Sequence, residues 1–170
     1  MGEVELLAGE PVAAEGFIRA ACEALERMGN QGHYVTVAVG LGNALLAQGR
    51  DDEAESVIER IAKGAIEDDL DPQIGWRRLK ARLLAHRGDF EAAERLGREA
   101  LELAARGDYI DLHARAHEDL AEVLRLAGRL DESVNELEHA IRLHEQKGNL
   151  VAAGKARTLL EDWGRTAPVH

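Results

Sequence analysis

Residues 41–61 read LGNALLAQGRDDEAESVIERI, and this stretch decides the fold. Before its central glycine, Leu41 and Leu45 lie four residues apart, and after it Ala54 and Ile58 do the same. Spacings of three and four place apolar side chains on one face of an α-helix. The stretch therefore predicts two amphipathic helices joined by a tight turn at Gly49.

The same pattern returns along the chain. Turn glycines recur 40, 39 and 40 residues apart, at Gly9, Gly49, Gly88 and Gly128. A small residue stands seven places before three of them, at Gly42, Ala81 and Ala121. Because a small side chain lets a neighbouring helix approach closely, each unit is predicted to be a pair of antiparallel helices. The sequence thus predicts an all-α fold, a right-handed solenoid of helix hairpins.

Helix bounds follow from caps and turn glycines. We expect helices at about 11–28, 31–48, 52–66, 72–87, 90–106, 109–127, 131–147 and 150–163. Side-chain oxygens are predicted to cap them at Asn30, Asp71, Asp89, Asp108, Asp131 and Asn149. Left-handed glycines are predicted to end them at Gly29, Gly88, Gly107, Gly128 and Gly148. Residues 35–39, VTVAV, favour a strand when taken alone, but their place in the repeat favours a helix.

The composition suits one globular domain. The 170 residues are 45% hydrophobic and 31% charged, with a net charge of −11 and a single cysteine, Cys22. One cysteine excludes a disulfide framework, and the acidic start of the chain argues against a signal peptide, so a cytoplasmic protein is expected. No apolar run approaches the ~20 residues of a membrane span. Because the negative charge repels phosphate backbones, neither a membrane nor nucleic acid is expected as a direct partner.

These hairpins resemble the tetratricopeptide repeat, most clearly in residues 41–61 and 120–140. The period is nearer forty than the family's ~34 residues, and the family's aromatic and proline positions are mostly not kept. The resemblance implies one domain over residues 1–163. Residues 164–170, with Pro168 among small and polar residues, are expected to form a flexible tail. It divides the domain into repeats at about 1–30, 31–70, 71–108 and 109–148, with a capping helix at 149–163.

More narrowly, three strings resemble the C-terminal helical repeats of large bacterial signalling proteins. They are Asp68–Asp71 before Trp76, residues 121–129, and Lys147–Asn149. In such proteins the repeats follow an ATPase module that is joined to an adenylate-cyclase-like or DNA-binding output domain. No phosphate-binding loop of the form Gly-x-x-x-x-Gly-Lys-Ser/Thr occurs in this sequence. The chain is therefore expected to be a fragment of a longer protein that contains those domains.

Catalytic and metal-binding patterns are weak. His113 and His117 are four residues apart on one predicted helix, close to Glu118 and Asp119, as metal ligands can be. The sequence lacks the His-Glu-x-x-His arrangement that would supply a general base, and a buried structural role is favoured for His117. Cys22 is predicted to be an inert core thiol. No catalytic residue, metal ion or cofactor is predicted.

The resemblance implies that the first helices of the hairpins line a concave groove. Counting from the turn glycines places there Thr36, Val39, Asn43, Leu46, Arg78, Arg82, Ala85, His86, Arg115, Glu118, Glu122 and Arg125, with Lys155 beyond them. The predicted partner-binding residues are Asn43, Arg78, Arg82, His86, Arg115, Glu122 and Arg125.

Two interpretations of Arg78 and Arg82 remain open. Arginines four residues apart on a helix repel each other, so something should offset their charge. Glu118 and Glu122 on the next groove helix would do so in a network that crosses between helices. Alternatively, the arginines hold a carboxylate of a bound peptide. Because acidic residues concentrate on the second helices, the groove is expected to be comparatively basic and its partner acidic.

The sequence thus predicts a non-enzymatic protein-interaction or regulatory module that binds a protein or peptide. One alternative is a homodimer in which apolar residues near the array ends stack two copies, namely Leu6, Leu7, Phe17 and Trp163. A metal-dependent or hydrolytic enzyme that uses His113, His117 and Asp119 is the least favoured alternative. Trp76 is expected to pack between repeats, and Trp163 to cap the array or to meet a second copy.

Overall fold

A computed structural model describes residues 10–166, and the side chains of residues 10–163. This part of the chain contains eight α-helices and no strand. The helices are α1 (Pro11–Arg27), α2 (Gln31–Ala47), α3 (Asp51–Gly64), α4 (Leu70–His86), α5 (Phe90–Ala104), α6 (Ile110–Leu126), α7 (Leu130–Lys147) and α8 (Leu150–Thr166). The predicted all-helical repeat fold is confirmed. The largest difference in bounds is at the end of α8, which continues to Thr166 rather than stopping at residue 163.

Left-handed glycines separate most of the helices. Positive φ angles between 65° and 84° occur at Gly29, Gly49, Gly88, Gly128 and Gly148. The prediction for Gly107 is wrong, since this glycine has no positive φ. The connection between α5 and α6 is longer than those turns and reverses the chain without a left-handed residue. Gly9, Leu6 and Leu7 lie outside the described residues, as do residues 167–170 of the predicted tail.

Half of the predicted side-chain caps form. The side-chain oxygens of Asn30, Asp89 and Asn149 accept hydrogen bonds from the backbone N–H three residues further on, over 3.2 to 3.3 Å. The other three predictions are wrong. Asp71 and Asp131 lie inside the first turn because Leu70 and Leu130 are already helical, and Asp108 precedes the cap residue Tyr109. Acidic groups in a first helical turn still interact favourably with the helix dipole.

The helices form two rows. We call α2, α4, α6 and α8 the inner helices and α1, α3, α5 and α7 the outer helices. Consecutive helices pack against each other, and α4 also packs directly on α2 and on α6. In contrast, α8 packs along α7 and makes hardly any close backbone approach to α6. We call the boundary between two neighbouring inner helices a seam, which is closed where the two helices pack on each other and open where they do not. The inner row therefore has two closed seams, α2–α4 and α4–α6, and one open seam, α6–α8.

Two glycines, which have no side chain, allow the helices of the α2–α4 seam to pack closely. A Cβ atom on Gly42 would lie 2.6 Å from Cδ1 of Leu79, and one on Gly75 would lie 2.5 Å from Cγ2 of Val39. Real Cβ atoms do not approach other atoms so closely, so each glycine permits the helix spacing. The predicted close approach at Gly42 is confirmed, and Gly75 adds a second one.

Burial in the core accounts for the apolar, β-branched composition of residues 35–39 and for the position of the single cysteine. Val35, Ala38 and Val39 are buried within α2, so the predicted helix over residues 35–39 is confirmed and its apolar character serves the core. Cys22 is buried in the same cluster, and burial raises the pKa of its thiol. Trp76 packs half-buried against that cluster, as expected of a residue between repeats.

Candidate interaction groove

A groove of about 790 Å³ runs along the inner helices, and the outer helix α7 contributes Leu137, His144 and Lys147 to it. Six of the predicted partner-binding residues line it, namely Asn43, Arg78, Arg82, Arg115, Glu122 and Arg125. Four further residues placed there by the repeat count also line it, namely Thr36, Val39, Glu118 and Lys155. Ten of the thirteen residues that the repeat count places in the groove therefore line it.

Three predicted groove residues lie elsewhere. Leu46 and Ala85 are buried in the core, because each faces the neighbouring helices rather than the concave side. His86 lies beside the groove and contacts its neighbours, with Nδ1 at 3.3 Å from Asp51 and Nε2 at 3.6 Å from Glu122. His86 therefore makes a contact between helices, and its role in partner binding stays a prediction.

The arginines of α4 pair with carboxylates of α6. Nη2 of Arg78 lies 2.7 Å from Oδ2 of Asp119. Nε of Arg82 donates to Oε2 of Glu122 over 2.7 Å, and its Nη1 donates to Oδ1 of Asn43 over 3.0 Å. The network interpretation is thus confirmed for Glu122, and Asp119 takes the place expected for Glu118. Asp119 lies 41 residues after Arg78, one more than the repeat count allowed.

Electrostatic interactions keep the acidic and basic side chains of the α4–α6 seam charged. Burial alone would raise the pKa of Glu122, but His86 and Arg82 outweigh it and lower the pKa to about 2. Contact with Glu122 is the main reason that the pKa of His86 is raised above 6.5. Burial lowers the pKa of Arg78, which is only 4% exposed, and the Asp119 charge opposes this effect. The charges of Arg78 and Arg82 are therefore largely balanced within the protein.

The end of the groove at the open seam has a different character. His144, only 2% exposed, points Nε2 at Oε1 of Glu118 over 3.0 Å. Its Nδ1 atom is buried and has no hydrogen-bond partner among the described residues. The Arg125 guanidinium lies 5.3 Å from the centre of the Trp163 ring, a cation–π distance. Trp163 also packs against an apolar cluster that contains Ala121 of α6, Leu137 of α7 and Ala156 of α8.

Exposed apolar side chains are concentrated at the same end. Tyr109 is 59% exposed and Leu159 is 45% exposed, and both line the groove. Neither they nor His144 were predicted as groove residues. His144 lies on an outer helix, and only the separation of α6 from α8 makes it part of the groove floor. A repeat count that treats every seam alike contains no sign of this separation.

The groove lining is balanced in charge. It carries six acidic side chains, Asp71, Asp108, Asp111, Glu118, Asp119 and Glu122, and six basic ones, Arg78, Arg82, Arg115, Arg125, Lys147 and Lys155. The whole chain has a net charge of −11, so the groove is less acidic than the rest of the molecule.

The histidines of α6 form a stack away from the groove. The ring centres of His113 and His117 are 5.0 Å apart, and those of His117 and His139 are 5.1 Å apart. Nδ1 of His117 lies 2.6 Å from Oε2 of Glu136, which lowers the pKa of that carboxyl. Burial, followed by the other two histidines, lowers the pKa of His113. Among the described residues, no group of three or more such side chains is arranged to hold a metal ion.

Two family models, both described as tetratricopeptide repeat, match the chain over residues 74–146 and 38–73. Together they cover well over half of its length. The chain is a tetratricopeptide-repeat protein. Repeats of this family generally mediate protein–protein interaction and are typically not enzymes, which agrees with a groove lined by both polar and apolar side chains.

The crystal structure of BtubC (BKLC) from P. vanneervenii has a similar fold, with a TM-score of 0.62 and 18% sequence identity. The alignment covers 92% of this tetratricopeptide-repeat chain and 65% of the BtubC chain. Identity at this level shows the shared fold alone. No curated protein matches the sequence significantly. Within residues 10–166, every helix is too short or too polar to cross a membrane.

Proposed function

We propose that this chain is a protein-interaction module whose groove binds an acidic segment of a protein partner. The observation that carries the proposal is the groove itself, a concave surface of about 790 Å³ that is lined by charged, polar and apolar side chains. The proposal assigns no catalytic step, metal ion or cofactor to the chain, and it places the protein in the cytoplasm.

The acidic nature of the partner is inferred from the basic groups at the open seam. Asp119 and Glu122 pair with α4, which leaves three carboxylates, Asp108, Asp111 and Glu118, on the α6–α8 part of the lining. Four basic side chains line the same part, namely Arg115, Arg125, Lys147 and Lys155. A partner with negative charge would meet this excess, while the net charge of −11 opposes direct binding of nucleic acid.

The resemblance to bacterial signalling proteins supports a regulatory setting. In this setting, partner binding changes the activity of an attached output domain that produces a nucleotide signal or regulates transcription. In a protein that joins this chain to such an output domain, deleting residues 10–166 should abolish the response of the output to the partner and leave its basal activity. An unchanged response would exclude this setting.

Affinity capture with matched variants tests the groove. The double variant Arg115→Gln/Arg125→Gln removes two positive charges from the lining, and we expect it to bind a captured partner at least about tenfold more weakly. Arg95→Gln/Arg98→Gln removes the same charge from outer helix α5 and should bind normally. Equal binding by both double variants would show that the partner uses another surface.

A homodimer is the second candidate, because both ends of the array expose apolar side chains. Val12 and Phe17 are exposed on α1, and Leu150 and Val151 are exposed on α8. The test is the mass of the purified chain over about a hundredfold range of concentration, at low and high salt. A dimer that persists in high salt would support apolar stacking of the ends, whereas a monomer throughout would exclude it.

A further inference from the structure

The three seams of the inner row differ in what fills them. Glycine contacts close α2–α4, and ion pairs close α4–α6. At the third seam α6 and α8 stay apart, so that Leu137 and His144 of α7 form the floor between them. We define the α6–α8 slot by these two floor residues, by Arg125 on one wall and by Ala156, Leu159 and Trp163 on the other.

The slot offers an apolar surface. Leu137 and Ala156 are buried beneath it, while Leu159 is 45% exposed to the groove. Trp163 extends the same surface towards the C-terminal end of α6, where Arg125 lies over its ring. An apolar side chain placed here would contact Leu159 and Trp163 and would be removed from water.

The floor also holds an unsatisfied polar atom. His144 uses Nε2 to contact Glu118, and its buried Nδ1 faces no hydrogen-bond partner among the described residues. Buried polar atoms normally have a partner, so this nitrogen is an exception beneath the slot. The slot thus combines an apolar wall, a buried histidine in its floor and basic groups at its rim.

We propose that the α6–α8 slot receives an apolar side chain that is flanked by carboxylates in the bound segment of a protein partner. This inference rests on the proposed function and narrows it to one part of the groove. The apolar side chain packs on Leu159 and Trp163, and the flanking carboxylates meet the positive charge of Arg125 and Lys155. The complementary charges of the segment and of the basic side chains favour acidic segments, and the apolar side chain fixes the position of the segment along the groove.

Fluorescence of Trp163 provides the test. The variant Trp76→Phe leaves Trp163 as the one tryptophan of the chain, since the sequence has two. The probes are four acetylated Gly/Ser peptides that carry in their centre Asp-Leu-Asp, Asn-Leu-Asn, Asp-Ser-Asp or Asn-Ser-Asn. We expect the Asp-Leu-Asp peptide to shift the Trp163 emission and to bind at least about tenfold more tightly than each of the others.

Two variants of α8 form a matched pair. Leu159→Asp places a charge in the slot, and Val151→Asp places the same charge at an exposed apolar position of α8 outside the groove lining. The first should weaken binding of the Asp-Leu-Asp peptide at least about tenfold, and the second should leave it unchanged. Urea unfolding of both variants shows that each is folded.

The outcomes separate this inference from the proposed function. The slot proposal would be overturned if Leu159→Asp and Val151→Asp bound the Asp-Leu-Asp peptide equally well. It would also be overturned by equal affinity of the protein for all four peptides, or by no binding of the Asp-Leu-Asp peptide up to about 1 mM. If the slot fails while Arg115→Gln/Arg125→Gln still loses the captured partner, the groove proposal stands. A doubled mass of the free chain that Leu159→Asp abolishes would instead assign the slot to a second copy, which also overturns the inference.

Discussion

The closed seams and the open seam of the inner row are built from the same repeat, yet the open one presents Leu159, a large apolar side chain that is 45% exposed, to the groove. At α2–α4 and α4–α6, glycines and ion pairs let neighbouring inner helices pack side by side. At α6–α8 the helices diverge, and the outer helix α7 becomes the floor. Packing that completes the fold elsewhere is left incomplete here, and this incompleteness creates the candidate site. The following changes test that difference.

The largest effect is expected at the α4–α6 ion pair. Asp119→Ala leaves the guanidinium of Arg78 buried without its partner, and we expect the free energy of unfolding to fall by about 3 kcal/mol or more. The double variant Arg78→Met/Asp119→Leu replaces both charges by apolar groups and should recover most of the loss. Urea unfolding at neutral pH measures both variants. A loss below about 1 kcal/mol in Asp119→Ala would mean that this seam does not depend on the pair.

A smaller effect is expected where glycine permits close approach. Gly75→Ala places a Cβ against Val39, a stiff β-branched neighbour, and should cost about 1–3 kcal/mol of unfolding free energy. Gly154→Ala is the control, because a Cβ there meets no atom within 4 Å. It should be neutral or stabilise the protein by up to about 1 kcal/mol through higher helix propensity. If both variants behave alike in urea unfolding, backbone contact does not close the α2–α4 seam.

Hydrogen exchange should show the open seam directly. Because α8 packs on α7 and hardly on α6, it should unfold locally more easily than α6, which packs between α4 and α7. We expect amides in the middle of α8 to exchange about tenfold faster than those in the middle of α6, or about 1.4 kcal/mol in opening free energy. Binding of the Asp-Leu-Asp peptide should reduce the difference. Equal protection of the two helices in the free protein would contradict an open seam.

Local sequence features predicted most of the fold, and repeat counting predicted much of the groove. The glycine turns and the apolar spacings of three and four depend on neighbouring residues, so the helix bounds could be read closely. Asn43, Arg82 and Glu122 occupy equivalent places in successive repeats, and a fixed period is enough to bring them to the same groove.

The groove contacts that could not be predicted depend on how far each helix is displaced along its neighbour. A shift of one residue turns a side chain by about 100° around a helix, which is why Asp119 rather than Glu118 meets Arg78. The period alone does not contain this shift. Nor does it contain the distance between α6 and α8, so the roles of His144 and Leu159 could not be predicted.

The smallest expected effect is a pH dependence of the stability that the contact between His86 and Glu122 contributes at the end of the closed α4–α6 seam. The pKa of Glu122 is lowered from 4.5 to about 2, and that of His86 is raised above 6.5, so both groups are charged between these two ordinary values. A raised His86 pKa adds stability that is complete below 6.5 and is lost as the pH rises through the raised value. A lowered Glu122 pKa adds stability that is complete above 4.5 and is lost as the pH falls towards 2.

His86→Gln should therefore reduce the unfolding free energy most between pH 4.5 and 6.5, by about 0.5 kcal/mol, and less on either side. Urea unfolding across this range measures the difference from the unmodified protein. In a Glu122→Gln background the same substitution should have a smaller effect, because Asp51 is then the remaining acidic contact of His86. A difference that does not vary with pH would show that His86 contributes to the seam through packing alone, which would leave Arg78 and Arg82 as the charged groups that close it.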